Sequence, residues 1–432
     1  MAGTVLVLRE HESVRIGNRW DTRARTVPER VASEIERLQA GSRVGYFTVG
    51  RHALRATSFV GTVGFDDGAL DVLPKVDGAG NAETRSRLLE MLSFAGLVPH
   101  AEGSVTGLGR VPSTLLDAFL ARYVRGLALE WRRGRIRSYV RVDRDRPALR
   151  GKFLFAAQLR RNVLRPERFH TRADEFIEDI PVSRLLKAGL EVCRHYAISE
   201  EPRREAAELL VEFEQVSGVG LSPEEVARVT VDRRSERFAP LVELARLLVA
   251  RASPWEPGRP RTYALLFDMD VVFERFIGAL LQRIVCPPGR SAALQLARRS
   301  LLVRSGAPVY RLRPDVGVFE RGRLVCLLDT KWKRLESLDR NFGVAQDDMY
   351  QMYAYGKEYG CPLVVLLYPQ YGDLKARVAS YRHPPGEDGC SQIEVATVPL
   401  GLPAVLPSGQ CVATELRSLL DGLLQRPGSG TG

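Results

Sequence analysis

Residues 313–333 read RPDVGVFERGRLVCLLDTKWK, and this stretch narrows the possible folds more than any other. Two apolar runs of strand length flank the charged tetrapeptide Glu320-Arg321-Gly322-Arg323. That pattern predicts two antiparallel strands joined by a tight turn. Each run carries an aspartate, Asp315 or Asp329, and Lys331 follows the second. Side chains alternate faces along a strand, so Asp329 and Lys331 point one way and Thr330 the other. Where the register allows, the fold-back brings Asp315 beside Asp329. The apolar flanks place the hairpin inside a sheet, where an uncompensated charge is costly. The plainer alternative is a cross-strand salt bridge at a sheet edge.

The surrounding pattern predicts an α/β domain with a mixed sheet flanked by helices, over residues 261–424. YALLFDMDVVFERFIGALLQRIV (263–285) is nearly all apolar and reads as one buried helix. AQDDMYQMYAYGKEYG reads as a helix ended by Gly360, CPLVVLLYP as a buried strand, and SQIEVATVPL as another. Upstream, residues 1–105 form an expected β-rich module. It has a hairpin turn at Asp66-Asp67-Gly68 and a short helix over Pro28 to Gln39. Residues 106–260 form an expected basic, mainly helical region, with helices near 112–131, 181–196, 200–216 and 237–252. Within it SYVRVDRD and LRGKFLF read as a hairpin. SPWEPGRPRT (253–262) holds three prolines and reads as a linker, and the tail 425–432 as disordered.

Two adjacent carboxylates repel each other unless a positive charge intervenes. A hard divalent cation with oxygen ligands meets that need, and Mg²⁺ takes one or two carboxylates while keeping several waters. Such an ion activates water and stabilises charge on a phosphoryl group, and a neighbouring lysine orients the water or neutralises developing charge. The expected chemistry is phosphodiester hydrolysis with Mg²⁺, or Mn²⁺, held by Asp315 and Asp329. Glu274 is a candidate third ligand, or simply the polar position of its helix. Asp347, Gln351 and Tyr355 fall four residues apart on one helical face. Gln351 and Tyr355 can position water or contact DNA, or be ordinary surface residues. Asp347 and Asp348 also fit as acids favoured at a helix N-terminus.

Pro314-Asp315 with Asp329-Thr330-Lys331 resembles the signature of the PD-(D/E)xK nuclease superfamily, and Gln351-Met352-Tyr353-Ala354-Tyr355 matches its Q-x-x-x-Y helix. Further segments extend the likeness in order: LDVLPKV, RSRLLEML, LRGKF, DEFIEDIPVSRLLKAGL, VFERFIGALL and DDMYQMYAYG. Together they resemble the McrC family, the nuclease subunit of McrBC-type modification-dependent (5-methylcytosine-type) restriction systems. The resemblance implies catalytic roles for Asp315, Asp329 and Lys331. It also implies a double-stranded DNA substrate and an AAA+ GTPase ring of McrB type, into which the N-terminal part docks to stimulate hydrolysis. No G-x-x-x-x-G-K-[ST] sequence occurs, so no nucleotide site is expected on this chain. A stand-alone RecB-like or Cas4-like exonuclease and a non-catalytic DNA-binding adaptor of the ring are the competing readings.

The net charge of +11 fits a polyanionic partner, an acidic protein surface, or an arginine-rich proteome. Between Arg122 and Arg172 basic residues outnumber acids by twelve, with Arg132, Arg133 and Arg135 in the densest part. This stretch reads as a DNA-tracking surface, a dock for an acidic partner, or a solvated face. Lys333 is a further candidate DNA contact, and His170 is read as structural. The six cysteines show no C-x-x-C spacing, which argues against a zinc or iron–sulfur site and suits a reducing cytoplasm. No apolar run approaches the ~20 residues that span a bilayer, and MAGTVLVLREHE lacks a signal-peptide core. A cytoplasmic protein without a membrane partner is expected.

Overall fold

Leu363–Pro369, buried at every position, runs parallel to both of its neighbours, Arg323–Thr330 and Gln392–Val398. A strand covered on both faces needs the near-continuous apolar run that LVVLLYP supplies. These three strands belong to a six-stranded mixed sheet. Its order is Arg290–Leu294, Val316–Glu320, Arg323–Thr330, Leu363–Pro369, Gln392–Val398, Arg377–Arg382. The helix Gln346–Tyr359 packs over one face, where Met352 and Tyr355 cluster with Leu327, Val364, Leu366, Ile393 and Val395. Gly360 ends it in the left-handed conformation, as expected. Asp329 and Lys331 share the parity of Leu327, so they lie at the end of the face this helix covers.

The computed structural model describes residues 4–40, 44–76, 80–98, 114–218, 221–251, 262–382, 392–405 and 409–425. The linker expected at 253–262 lies outside the described residues except for Thr262, as do the boundary at 105 and the tail beyond 425. The chain divides into two compact units that do not follow chain order. One comprises Leu6–Thr62, Leu70–His100 and Leu266–Gly432; the other comprises Met1–Val5, Val63–Ala69 and Ala101–Leu265.

The first unit contains the six-stranded sheet. It also contains a four-stranded sheet ordered Thr26–Pro28, Ser13–Gly17, Ala53–Ala56, Phe47–Val49, against which the helix Glu29–Ala40 packs. The helix Asn81–Phe94 packs on Met269–Leu280, with Phe94 and Phe276 edge to face at 6.1 Å. The single helix expected over 263–285 is a strand, Tyr263–Asp268, then the helix Met269–Leu280 and a π-helical turn, Leu281–Val285. Continuous apolar sequence does not separate helix from strand by periodicity. The break is local chemistry: Asp268 caps the helix by accepting from the Asp270 N–H at 3.0 Å.

In the second unit the helices Leu115–Arg133, Pro181–Tyr196, Glu200–Glu212 and Ala239–Arg251 surround a core where Trp131 stacks on Phe213 at 4.0 Å. Gly189 is obligatory there, because a Cβ would stand 2.6 Å from the Tyr123 hydroxyl. The hairpin expected between 138–145 and 149–155 does not form. Ser138–Arg146 and Lys152–Phe153 instead both pair with a central strand, Phe169–Ile177. That strand is FHTRADEFI, whose buried positions include His170, Thr171 and Glu175, so its alternation is hidden by polar residues facing inward.

Candidate active site

The turn at 320–323 forms as expected. Arg321 and Gly322 have φ of 48° and 80°, and Glu320 pairs with Arg323. Two positive φ values in a two-residue loop match the twist of the flanking strands. Carried on unbroken, that register would set Asp315 opposite Leu328. Instead Phe319 pairs with Leu324 but Val318 with Cys326, so Val325 is an extra residue in a β-bulge. Beyond it Val316 pairs with Leu328, and the next position along sets Asp315 against Asp329.

Asp329 is buried, only 2% exposed, and Asp315 is half-buried. Burial first, then the charge of Asp329, raises the Asp315 carboxyl to about 7. Burial likewise pushes Asp329 above the ordinary carboxylate range, although Lys331 pulls the other way. Asp315 Oδ2 accepts from the Thr330 N–H and hydroxyl, both at 2.7 Å. Thr330, expected to turn away, thus reaches Asp315 where the strand ends. The Lys331 ammonium lies 2.8 Å from Asp329 Oδ2 as an ion pair.

Lys331 donates to Gln351 Oε1 at 3.0 Å, and Gln351 donates to the Tyr355 hydroxyl at 2.8 Å. Burial lowers the Lys331 pKa, but Asp329 and Asp348 more than offset this and leave it above its usual value. Tyr355, a candidate DNA contact, is buried among the apolar residues under its helix and holds Gln351. Asp348, rather than the exposed Asp347, turns inward. It takes Lys333 at 3.0 Å and lies 3.7 Å from Lys331.

Glu274 bears electrostatically on both aspartates. Its Oε1 accepts from Gln295 Nε2 at 2.8 Å, and Arg313 in turn donates to Gln295. Among the described residues no group of three or more His, Cys, Asp or Glu side chains is arranged to hold a metal. The oxygen pair that the sheet brings together is that of Asp315 and Asp329, with Glu274 acting on both. Gln295 and Arg313 escaped sequence reading, as did Glu10, which accepts from the Trp332 indole N–H at 2.8 Å. Contacts spanning 322 residues leave no local signal.

Arg132, Arg133 and Arg135 belong to the second unit and are exposed. Arg133 pairs with Glu130 at 2.6 Å and Arg135 with Glu178 at 3.3 Å. His170 is buried on Asp145 at 2.7 Å, in keeping with a structural role. Cys193, Cys326, Cys361 and Cys411 are buried free thiols. Among the described residues no helix is long and apolar enough to cross a membrane.

Fold and site together define a mixed α/β protein whose sheet carries a largely buried acid pair with an attendant lysine. The family model for the McrBC 5-methylcytosine restriction system component matches residues 54–369, and the chain belongs to that family. Its fold is similar to a chain in the refined half-complex from a tetradecameric assembly of Thermococcus gammatolerans McrB AAA+ hexamers with bound McrC. That match has a TM-score of 0.72 at 21% identity and covers 97% of this chain and 100% of the other. It is also similar to a chain of the T. gammatolerans McrBC complex solved by cryo-electron microscopy. There the TM-score is 0.51 at 24% identity, over 64% of this chain and 87% of the other. No curated protein matches the chain significantly.

Proposed function

We propose that the chain is the Mg²⁺-dependent endonuclease subunit of a GTP-driven restriction complex, cutting double-stranded DNA that bears 5-methylcytosine-type marks. Its centre is read as PD-(D/E)xK-type. The carrying observation is the meeting of half-buried Asp315 with buried Asp329, whose Oδ2 lies 2.8 Å from the Lys331 ammonium. Two buried like charges are unfavourable alone and become favourable around a cation. Asp315 and Asp329 would hold Mg²⁺, or Mn²⁺ in its place, and the ion would supply Lewis acidity and a more acidic water. Thr330 orients Asp315 by two hydrogen bonds. Lys331, held between Asp329 and Gln351, keeps its ammonium where negative charge builds on the phosphoryl oxygens. Tyr355 acts by fixing Gln351. Lys333 and the arginines 132, 133 and 135 contribute DNA phosphate contacts.

The partner in this reading is an AAA+ GTPase ring of McrB type. Family membership supports it, as do the similar Thermococcus assemblies and the missing P-loop sequence. The site of action is the cytoplasm. The test is cleavage of methylated DNA by the purified chain with its ring partner, GTP and Mg²⁺. Asp329→Ala should abolish cleavage, and Lys331→Ala should slow it by about 10²–10³-fold. Both variants should keep fold and ring association. Normal cutting by the Asp329→Ala complex would sink the site assignment.

A further inference from the structure

A cavity of about 400 Å³ in the second unit is lined by Arg135, Ile136, Arg137, Phe176 and Arg234. The sheet beside it is zipped by ion pairs across its exposed face. Arg141 meets Asp174 at 3.5 Å, and Arg172 meets Asp143 at 2.6 Å. Each arginine on that ladder has its own carboxylate. At the cavity the pattern breaks. Arg135 and Arg137 share one buried carboxylate, Glu178, at 3.3 and 2.7 Å. The Arg234 guanidinium has no hydrogen-bond or ion-pair partner among the described residues. Three guanidinium groups thus face Glu178 and, beside Arg234, Asp232, which leaves an excess of positive charge.

The next rung of the ladder is aromatic. Tyr139 and Phe176 are cross-strand partners, 66% and 51% exposed, with ring centroids 5.0 Å apart. Exposed rings beside surplus arginine charge are the two components of single-strand nucleic-acid recognition, in which bases stack on rings and cations take phosphates. We propose that this cavity binds one unpaired nucleotide of DNA, its phosphate on the arginines and its base on Tyr139 and Phe176. The proposal deepens the DNA-directed reading above and rests on it. It gives the chain a grip on a locally opened or single-stranded segment, separate in chemistry from the magnesium-dependent centre.

The experiment is fluorescence anisotropy on the full chain without Mg²⁺. The probes are a labelled oligothymidylate, an abasic strand of equal length and a duplex, and inorganic phosphate serves as competitor. Phe176→Ala and Tyr139→Ser should weaken oligothymidylate binding by about 5- to 100-fold and leave the abasic strand unaffected. Arg234→Ala should weaken both strands and lower the salt slope by about one. Circular dichroism and melting of each variant check the fold, and Phe176→Leu keeps the packing while removing the aromatic face. Equal oligothymidylate binding by wild type and the aromatic variants overturns the proposal. So does equal loss of the abasic strand, which marks a plain anion site. Variants that lose only the ring partner overturn it in favour of a protein dock. If wild-type chain binds no DNA strand, the nucleotide site is overturned, while cleavage by the complex with its ring partner tests the DNA-directed reading separately.

Discussion

At the scale of single residues, Asp315 carries the clearest conflict between stability and use. Burial and the charge of Asp329 raise its carboxyl to about 7, above the ordinary range near 4. A native pKa above the unfolded value means that the folded state holds the proton more tightly. The resulting stability is full below about pH 4 and is lost as pH rises through about 7. Asp315→Asn keeps an acceptor for Thr330 and removes the charge. Its metal-free melting temperature should match wild type at pH 4 and exceed it by a few degrees at pH 8. Saturating Mg²⁺ should raise the melting temperature of wild type at pH 8 and leave Asp315→Asn unmoved. Thermal melts at the two pH values, with and without Mg²⁺, decide this. A wild-type chain insensitive to Mg²⁺ would remove the metal from the proposal.

At the scale of elements, the strand that ends in Asp329 and Lys331 is steadied from the far end of the sequence. Glu10, 2% exposed, accepts from the Trp332 indole at 2.8 Å and from the Lys75 N–H at 3.0 Å. Trp332 follows Lys331 directly and meets Phe273 edge-on at 5.4 Å. Glu10→Ala leaves two part-buried donors without an acceptor, at about 1 kcal/mol each. It should therefore lower both the melting temperature and the cleavage rate. Glu10→Gln can serve both donors from one oxygen and should recover most of each. Burial raises the Glu10 carboxyl to about 7. Its share of stability is thus present below about pH 4.5 and lost through about pH 7, and Glu10→Gln should flatten that part of the melting profile. A Glu10→Gln profile that follows wild type would dismiss Glu10 as its source. The hairpin at 313–333 and the helix at 346–359 were legible in the sequence because turn chemistry and periodicity are local signals. The Val325 bulge was not, since nothing in VCLL marks an extra residue. The strand at 169–177 was hidden by its inward His170, Thr171 and Glu175. The helix expected at 263–285 concealed a strand because a run buried on every side carries no period. Glu10–Trp332 and Gln295–Glu274 join residues that only the finished fold brings together.

At the scale of the molecule, the unit that holds the candidate site is assembled from three stretches of chain. The sheet residues from 266 onward are held by partners from the first hundred. Phe94 packs on Phe276, Glu90 accepts from the Ala404 N–H at 3.0 Å, and the Tyr371 hydroxyl donates to the Lys75 carbonyl at 2.6 Å. Removing residues 1–100 strips the helix Met269–Leu280 of the helix Asn81–Phe94, exposing apolar surface at roughly 25 cal/mol per Å². It also orphans the Trp332 indole and the Ala404 N–H. Losses of that kind are comparable with the margin of about 5–15 kcal/mol by which domains are stable. A fragment of residues 262–425 should therefore show no cooperative melt, bind hydrophobic dyes and be cut rapidly by protease, despite containing Asp315, Asp329 and Lys331. The full chain should melt cooperatively under the same conditions. Residues 1–100 supplied in trans should restore part of the protection, because the missing contacts are non-covalent. A fragment that melts cooperatively by itself would show that the sheet and its helices need nothing from the N-terminal hundred residues, and Glu10 would then lose its claim to steady Lys331.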